Sequence, residues 1–400
     1  MTSGHPELIA AIVADIAVKG PIPFARFMEL ALYHPRFGYY TRERGEEKAG
    51  AEWTGERIGW AGDYYTSSDV HPILGRALAR QAKQIDDLLG EPTPFTVVEV
   101  GPGKGLLAKQ MIEASAAEYP SLFRRLRYVL VDRSPAMRSE QRRTLAHLPA
   151  NMLVWMNRLE DIPPNSLIGL VLSNELLDAF PVHRLRVSEG RICEIYVDYR
   201  QGEFIECLRP LSCEALAMHL RRLNPQWPDG YQTEVNLEAL TWIKQVARRL
   251  QRGVVLTIDY GYTSEDLYSP ARRNGTFLCY FRHSINETPF LRVGFQDMTA
   301  HVDFSSLAEA GKAEGLDVTG FTNQLSFLAG LGVEAMIAEL EPESPEFRAA
   351  LHLLKPHGMG GIFKVLIQQK GMGHIRLDGL TYRAFGEAAL TNGETHSHAA

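Results

Sequence analysis

Val97-Val98-Glu99-Val100-Gly101-Pro102-Gly103-Lys104-Gly105 decides how this chain is read. β-Branched residues lead into Glu99, as in a buried strand. Glycines at every second position follow, and a helical apolar pattern starts at once with Leu106, Leu107, Met111 and Ile112. Strand, glycine turn and helix bring a backbone close to a ligand at a helix N-terminus. The dinucleotide fingerprint needs its third glycine three positions after the second. Here that position is Leu106 and the glycine comes one residue early, which disfavours a hydride-transfer enzyme.

Outward from this run, strands and helices alternate. Residues 95–100, 127–131, 152–156, 166–173 and 253–259 read as five strands, with helices predicted over 105–118 and 135–148. Continuous apolar runs of this kind suit parallel strands covered on both faces. Residues 316–321 and 362–368 supply two more, antiparallel at one edge. The expected fold is therefore α/β, a Rossmann-like seven-stranded sheet with its core in 93–183 and 251–370. Residues 1–92 read as a helical region covering the site, with helices over 6–18, 24–31 and 66–89, the last capped by Thr66, Ser67 and Ser68 and closed by Gly90. Residues 184–250 read as an inserted α+β subdomain. In it, short antiparallel strands at 184–187, 192–199 and 203–208 precede helices at 212–223 and 236–250. The insertion suits a homodimer surface or a substrate platform. The charged, glycine-rich stretch 42–62 reads as a mobile loop, residues 262–300 as a long irregular loop of the kind that carries function, and 386–400 as a flexible tail.

Composition narrows the function classes. A net charge of −6 argues against a nucleic-acid partner bound through its phosphates. Cys193, Cys207, Cys213 and Cys279 form no Cys-x-x-Cys pair, and no histidine stands at zinc-like spacing from them, so free thiols in a reducing compartment and no metal are expected. No apolar run approaches the length of a membrane span, so no membrane insertion is expected. The first twenty residues carry Glu7 and Asp15 against Lys19, unlike an Arg-rich transit peptide or a secretory signal, and a cytoplasmic location is the expectation.

An acid two residues before Gly-x-Gly-x-Gly resembles motif I of class I S-adenosylmethionine (SAM) methyltransferases. The resemblance implies that Gly101, Gly103 and Gly105 let the backbone approach SAM, with Glu99 meeting its amino group. Asp132 ends the next strand, where an acid can hold a ribose diol; capping the helix at Ser134 is its plainer reading. Glu160 and Asp161, just past the third strand, are candidates for the adenine amino group or a surface carboxylate pair. After six apolar residues the fourth strand ends abruptly in the polar run Ser173-Asn174-Glu175. Ligands of open α/β sheets sit outside the carboxyl ends of the strands. A carboxylate there can hold a guanidinium through a bidentate pair, with Glu175 first, Asp178 in support and Asn174 as a helix cap or cofactor contact. His301, two residues from Asp303, is a candidate base, against the plainer readings of a structural histidine and an N-capping aspartate.

Several separated segments resemble the MidA-type family, that of the mitochondrial complex I assembly factor that methylates arginine. They are Met28-Glu-Leu-Ala-Leu-Tyr-His-Pro-Arg-Phe-Gly-Tyr-Tyr40, Gly62-Asp-Tyr-Tyr-Thr-Ser-Ser68, Glu99-Val-Gly-Pro-Gly-Lys-Gly105, Asn174-Glu-Leu-Leu-Asp-Ala-Phe-Pro181, Ile258-Asp-Tyr-Gly261 and Thr299-Ala-His-Val-Asp-Phe304. The resemblance implies a class I methyltransferase core, SAM as cofactor and transfer to an arginine-bearing protein substrate. Residues Gly62, Asp63, Thr66 and Ser67, with the 262–300 loop, would cover the site. Two departures bear on the partner: the stretch 42–61 is longer and more charged than the family's, and Ser68-Asp69-Val70 stands where the family has Pro-Glu-Ile. The alternatives are a non-catalytic SAM-binding assembly or chaperone module and a small-molecule methyltransferase.

Overall fold

The computed structural model describes residues 2–42, 59, 62–63 and 65–382. Apart from residues 42, 59 and 62, the predicted loop 42–62 lies outside the described residues, as does the tail 386–400. The central sheet is built from β1 (Phe95–Val100), β2 (Leu126–Val131), β3 (Leu153–Met156), β4 (Leu167–Asn174), β5 (Leu250–Tyr262), β6 (Asp317–Asn323) and β7 (Phe363–Lys370). Their order is β6-β7-β5-β4-β1-β2-β3. The pairs β4–β5, β4–β1, β1–β2 and β2–β3 are parallel. β7 runs antiparallel to both β5 and β6. Of the two edge strands predicted from the sequence, only 363–370 therefore opposes the parallel set. The chain order reverses between β4 and β1, and at such a switch point the loops leave in opposite directions and open a crevice.

The apolar strands divide their side chains between two helical layers by simple alternation. Val97, Tyr128, Leu130, Leu172 and Leu256 face the helices α1 (Ile73–Leu89) and α2 (Leu106–Glu118). Val98, Val129, Val131, Val171 and Val255 face α3 (Leu237–Arg249) and α4 (Phe304–Lys312). Helix 237–249, expected within the insertion, thus packs on the central sheet.

The middle of the sheet is tight. Thr96, Gly169 and Gly253 lie side by side on β1, β4 and β5. A Cβ on Gly169 would stand 2.1 Å from the Thr96 carbonyl oxygen, and one on Gly253 would stand 2.0 Å from that of Gly169. Both have φ near 145°, at 142° and 147°, which side chains rarely adopt.

Two expectations change in detail. The predicted helix 66–89 is broken: Ser67–Val70 forms one short turn, His71 is extended, and the helix resumes at Ile73. Pro72 excludes the helical conformation from the residue before it. The stretch 262–300 is not wholly irregular, because Leu278–Phe281, Ser284–Asn286 and Asp297–Thr299 pair as a small antiparallel sheet. Beside it, helices Pro6–Lys19 and Phe24–Tyr33 bury Leu8, Ile12, Phe24 and Phe27 against Val197, Phe204, Phe277 and Met298. Ile22–Pro23 pairs with the inserted strand Arg191–Arg200. These contacts bind the N-terminal segment to the insertion and the small sheet in one apolar cluster.

Gly169→Ala is expected to lower stability by about 1–3 kcal/mol through backbone overpacking, read as a lower denaturation midpoint beyond that of Gly202→Ala, which shares a positive φ (84°) but meets open space and so controls for the conformational strain alone.

Candidate functional site

The carboxyl ends of β1, β2 and β4 converge on the glycine turn. Gly101, Gly103 and Gly105 have φ of 69°, 51° and 81°, so the turn needs residues without a Cβ. The Gly101 N–H donates to the Val131 carbonyl at 2.9 Å and the Gly105 N–H to that of Pro102 at 2.8 Å. A Cβ on Gly101 would lie 2.6 Å from Leu176 Cδ1. Helix α2 starts at Gly105 without a side-chain cap, leaving its first N–H groups to other acceptors.

Two cavities meet at this turn. The larger, about 390 Å³, is lined by Gly101, Asp132, Asn157, Glu160, Phe180 and Trp242 among others, a size usual for a small-ligand site. The smaller, about 50 Å³, is lined by Thr66, Asp69, Glu99, Lys104, Asn174 and neighbours. Gly101, Gly103 and Glu175 border both.

Asp132 accepts the Ser134 N–H at 2.8 Å through Oδ1 and Gln141 Nε2 at 2.9 Å through Oδ2. Each oxygen keeps a further lone-pair direction. Burial pushes this carboxyl up to about 6. Gln141, fully buried, also donates to the Gly103 carbonyl at 2.9 Å and so ties Asp132 to the glycine turn. Glu99 is buried and accepts the Tyr128 hydroxyl at 2.7 Å. Burial raises it to about 7, and the Tyr128 hydrogen bond holds it below what burial alone would give. Tyr128 and Gln141 carry no sequence signal that separates them from core and helix residues. Glu160 is exposed on the rim of the larger cavity, whereas Asp161 caps its own turn through the Arg158 N–H at 3.1 Å and lies outside both linings.

Asn174 and Glu175 stand where the two cavities join. Glu175 has φ of 53°, a left-handed conformation that costs an L-residue roughly 1–2 kcal/mol. Its N–H donates to the Ile258 carbonyl at 2.9 Å, which extends the β4–β5 ladder past the last residue of β4. Glu175 Oε1 accepts the Ser67 N–H at 2.9 Å and Asn174 Nδ2 at 3.0 Å. Burial, opposed by those two donors and reinforced by Asp178, raises its carboxyl to about 8. Asp178 is buried behind it and is raised to about 7, also by burial. Asp259 is fully buried and accepts the N–H groups of Leu176 and Leu177. Sequence reading placed Asp259 only within a family motif. Its signal was an acid directly after the apolar run Val254–Ile258, one residue past the position level with Asn174.

The covering segment closes over this junction. Asp69 accepts the Thr66 N–H at 3.0 Å and pairs with Lys104 of the glycine turn at 2.6 Å. Gln110 Nε2 donates to the Ser68 carbonyl at 2.8 Å. Gly62 and Asp63 are buried, and Asp63 accepts the Tyr39 hydroxyl at 2.7 Å and the Arg282 N–H at 2.9 Å. Tyr40 reaches both sides of the site: its carbonyl accepts Ser134 Oγ at 2.9 Å and its hydroxyl donates to buried Asp297 at 2.7 Å.

His301 and Asp303 lie elsewhere. The His301 ring faces Tyr260 and Tyr262, borders neither cavity, and is held down to about 4 by burial and by Arg272 and Lys364. An imidazole in that state is neutral and weakly basic at neutral pH, unlike the base expected from its spacing. Asp303 caps α4, accepting the Ser306 N–H at 3.0 Å, its hydroxyl at 2.7 Å and the Ser264 hydroxyl at 2.6 Å.

A family model described as "Putative S-adenosyl-L-methionine-dependent methyltransferase" matches residues 77–322, more than half of the chain. The chain belongs to this methyltransferase family. It is similar to a COG1565 superfamily member from Burkholderia thailandensis solved with S-adenosyl-homocysteine, with 32% identity and a TM-score of 0.83 over 97% of this chain and 99% of that one. It is 27% identical to the "Protein arginine methyltransferase NDUFAF7 homolog, mitochondrial" of Drosophila melanogaster over 94% of this chain and 88% of that protein. The human protein arginine methyltransferase NDUFAF7 is 24% identical over 94% of this chain and 86% of its own length.

The methyltransferase's residues suit a SAM-sized ligand. Gly101 leaves open backbone, Asp132 offers two acceptor oxygens for a diol, and buried Glu99 offers an anion for an ammonium. Glu99 must be ionised to hold a cation, so cofactor affinity is expected to fall as pH drops through about 7. Tyr128→Phe removes the bond that favours the ionised form, moves that loss to higher pH and weakens S-adenosyl-homocysteine binding about fivefold at neutral pH, as calorimetry across the pH range would read.

Proposed function

We propose that this protein transfers the methyl group of SAM to a guanidinium nitrogen of an arginine in a protein substrate. The observation that carries the reading is the half-buried Glu175 carboxylate, set at the junction of the two cavities and bordering both. Its support among relatives is that the similar proteins of Drosophila and human, matched along nearly their full length, are named protein arginine methyltransferases.

SAM supplies a methyl group already activated on a sulfonium. The chain's own residues have three tasks. Gly101, Asp132 and Glu99 bind and orient the cofactor. The segment from Thr66 to Asp69, pinned by Lys104, excludes water from the smaller cavity, and in a dry site charges act more strongly on one another. Glu175 holds the incoming guanidinium so that one nitrogen faces the methyl carbon; as that nitrogen bonds the carbon and the carbon–sulfur bond breaks, its proton passes to the ionised Glu175 carboxylate and on to solvent. Raised to about 8, the Glu175 carboxyl is mostly protonated at neutral pH, and an arriving guanidinium cation draws it down into its charged form. Asp178 lies behind Glu175 and reinforces the negative field, while Asn174 fixes the Glu175 carboxylate through its amide.

Two outcomes test this. Labelled SAM incubated with the protein and cell protein is expected to place label on arginine; label confined to small molecules, or none, overturns the reading. Glu175→Gln is expected to lower turnover by at least about 100-fold while S-adenosyl-homocysteine still binds. The kcat/KM of the wild type for the arginine substrate is expected to rise with pH through about 8, because that ratio reads the free enzyme, in which Glu175 must ionise to receive the cation. Full turnover by Glu175→Gln removes Glu175 from the mechanism.

A further inference from the structure

Asp259 lies in β5 where its pairing with β4 ends, one residue past Ile258, whose carbonyl holds the Glu175 N–H. It is fully buried. Its Oδ2 accepts the Leu176 N–H at 3.1 Å and the Leu177 N–H at 2.7 Å, and its Oδ1 accepts the Tyr260 N–H at 2.8 Å. Burial and the neighbouring Asp178 raise this carboxyl well above its usual range, and the backbone donors oppose that shift. Two of the three donors, the Leu176 and Leu177 N–H groups, come from the turn that carries Glu175.

The geometry constrains that turn closely. Two successive N–H groups can meet one oxygen only if the chain curls around it, and the curl begins with the left-handed φ of 53° at Glu175. The same curl seats Leu176 against Gly101 of the glycine turn. Leu177 is also fixed from its other side, because its carbonyl accepts Asn236 Nδ2 at 2.8 Å. Among the described residues Leu176 has no second hydrogen-bonded anchor of that kind, and it is the neighbour of Glu175. Without Asp259 the two N–H groups lose their acceptor in a buried place, and Glu175 is free to return to an ordinary backbone conformation that carries its carboxylate elsewhere.

We propose that Asp259 is the positioning residue of the methyl-transfer site: it touches neither cavity, and it sets the aim of Glu175 by accepting the Leu176 and Leu177 N–H groups. This rests on the role of Glu175 proposed above. It gives the Ile258-Asp-Tyr-Gly261 segment a task in catalysis rather than in cofactor binding.

The test uses the full chain. Asp259→Ala is expected to speed hydrogen exchange at the Leu176 and Leu177 amides, to keep S-adenosyl-homocysteine binding by calorimetry, and to lower kcat about 100-fold with little change in KM for SAM. Asp259→Asn keeps one acceptor oxygen and is expected to restore slow exchange and most of the turnover. Asp259→Glu keeps the carboxyl group but displaces the oxygen by a methylene, and is expected to behave like Asp259→Ala; it carries the test should the alanine variant fail to fold. Wild-type exchange and turnover in Asp259→Glu, or slow exchange in Asp259→Ala, overturns the proposal, as does an inactive Asp259→Asn with slow exchange. If the wild-type protein labels no arginine, the proposed function fails, and the exchange measurements still decide whether Asp259 holds the turn.

Discussion

The structure depends on the register of three parallel strands. β1, β4 and β5 are locked side by side through the Thr96–Gly169–Gly253 row, where no added side chain fits. That lock brings Val100, Ser173 and Thr257 level at one edge of the sheet. The residues just beyond them form the site: the glycine turn, the Glu175 turn and Asp259. Slipping one strand by a single residue would exchange its two faces and would also separate Leu176 from Gly101. The close packing of the sheet centre therefore sets the spacing of groups at its rim.

Burial is the second organising effect. Glu99, Glu175, Asp178, Asp259 and Asp297 all have raised carboxyls, and burial is the leading cause at each. Removing several acids from water is costly unless donors or a cation compensate. Backbone N–H groups, Tyr40 and Tyr128 supply part of that compensation. A cationic ligand supplies more, and so the apo site favours the arrival of positive charge.

Much of this was legible in the chain. Long apolar runs with glycine and acid at their ends marked the strands of the sheet and their reactive edge, because burial on both faces and a ligand at the rim leave those traces. Asp132 and Glu175 each follow a strand directly and Glu99 lies one residue from the end of one, and all three line the cavities at the glycine turn. Tyr128 and Gln141 were missed because a buried tyrosine and a helix glutamine look alike whether they support a site or a core. His301 and Asp303 misled for the opposite reason: a spacing of two residues suggests a pair, yet the chain turns the aspartate to cap a helix and the histidine toward tyrosine rings. The short strands of 278–299 were hidden by their length, three or four residues each, too few for alternation to show.

The N-terminal segment makes its contacts far along the chain. Tyr40 meets Asp297 across 257 positions, and Tyr39 and Asp63 meet the small sheet through Arg282. Phe24 and Phe27 are covered by residues that include Phe204, Phe277 and Phe290. On a ribosome these first forty residues emerge long before their partners, and they must wait with an apolar face exposed while most of the chain is made. The strands Asp317–Asn323 and Phe363–Lys370 of the central sheet are made later still. The order of synthesis thus leaves these helices unshielded until the insertion and the small sheet are made, unless a chaperone covers them.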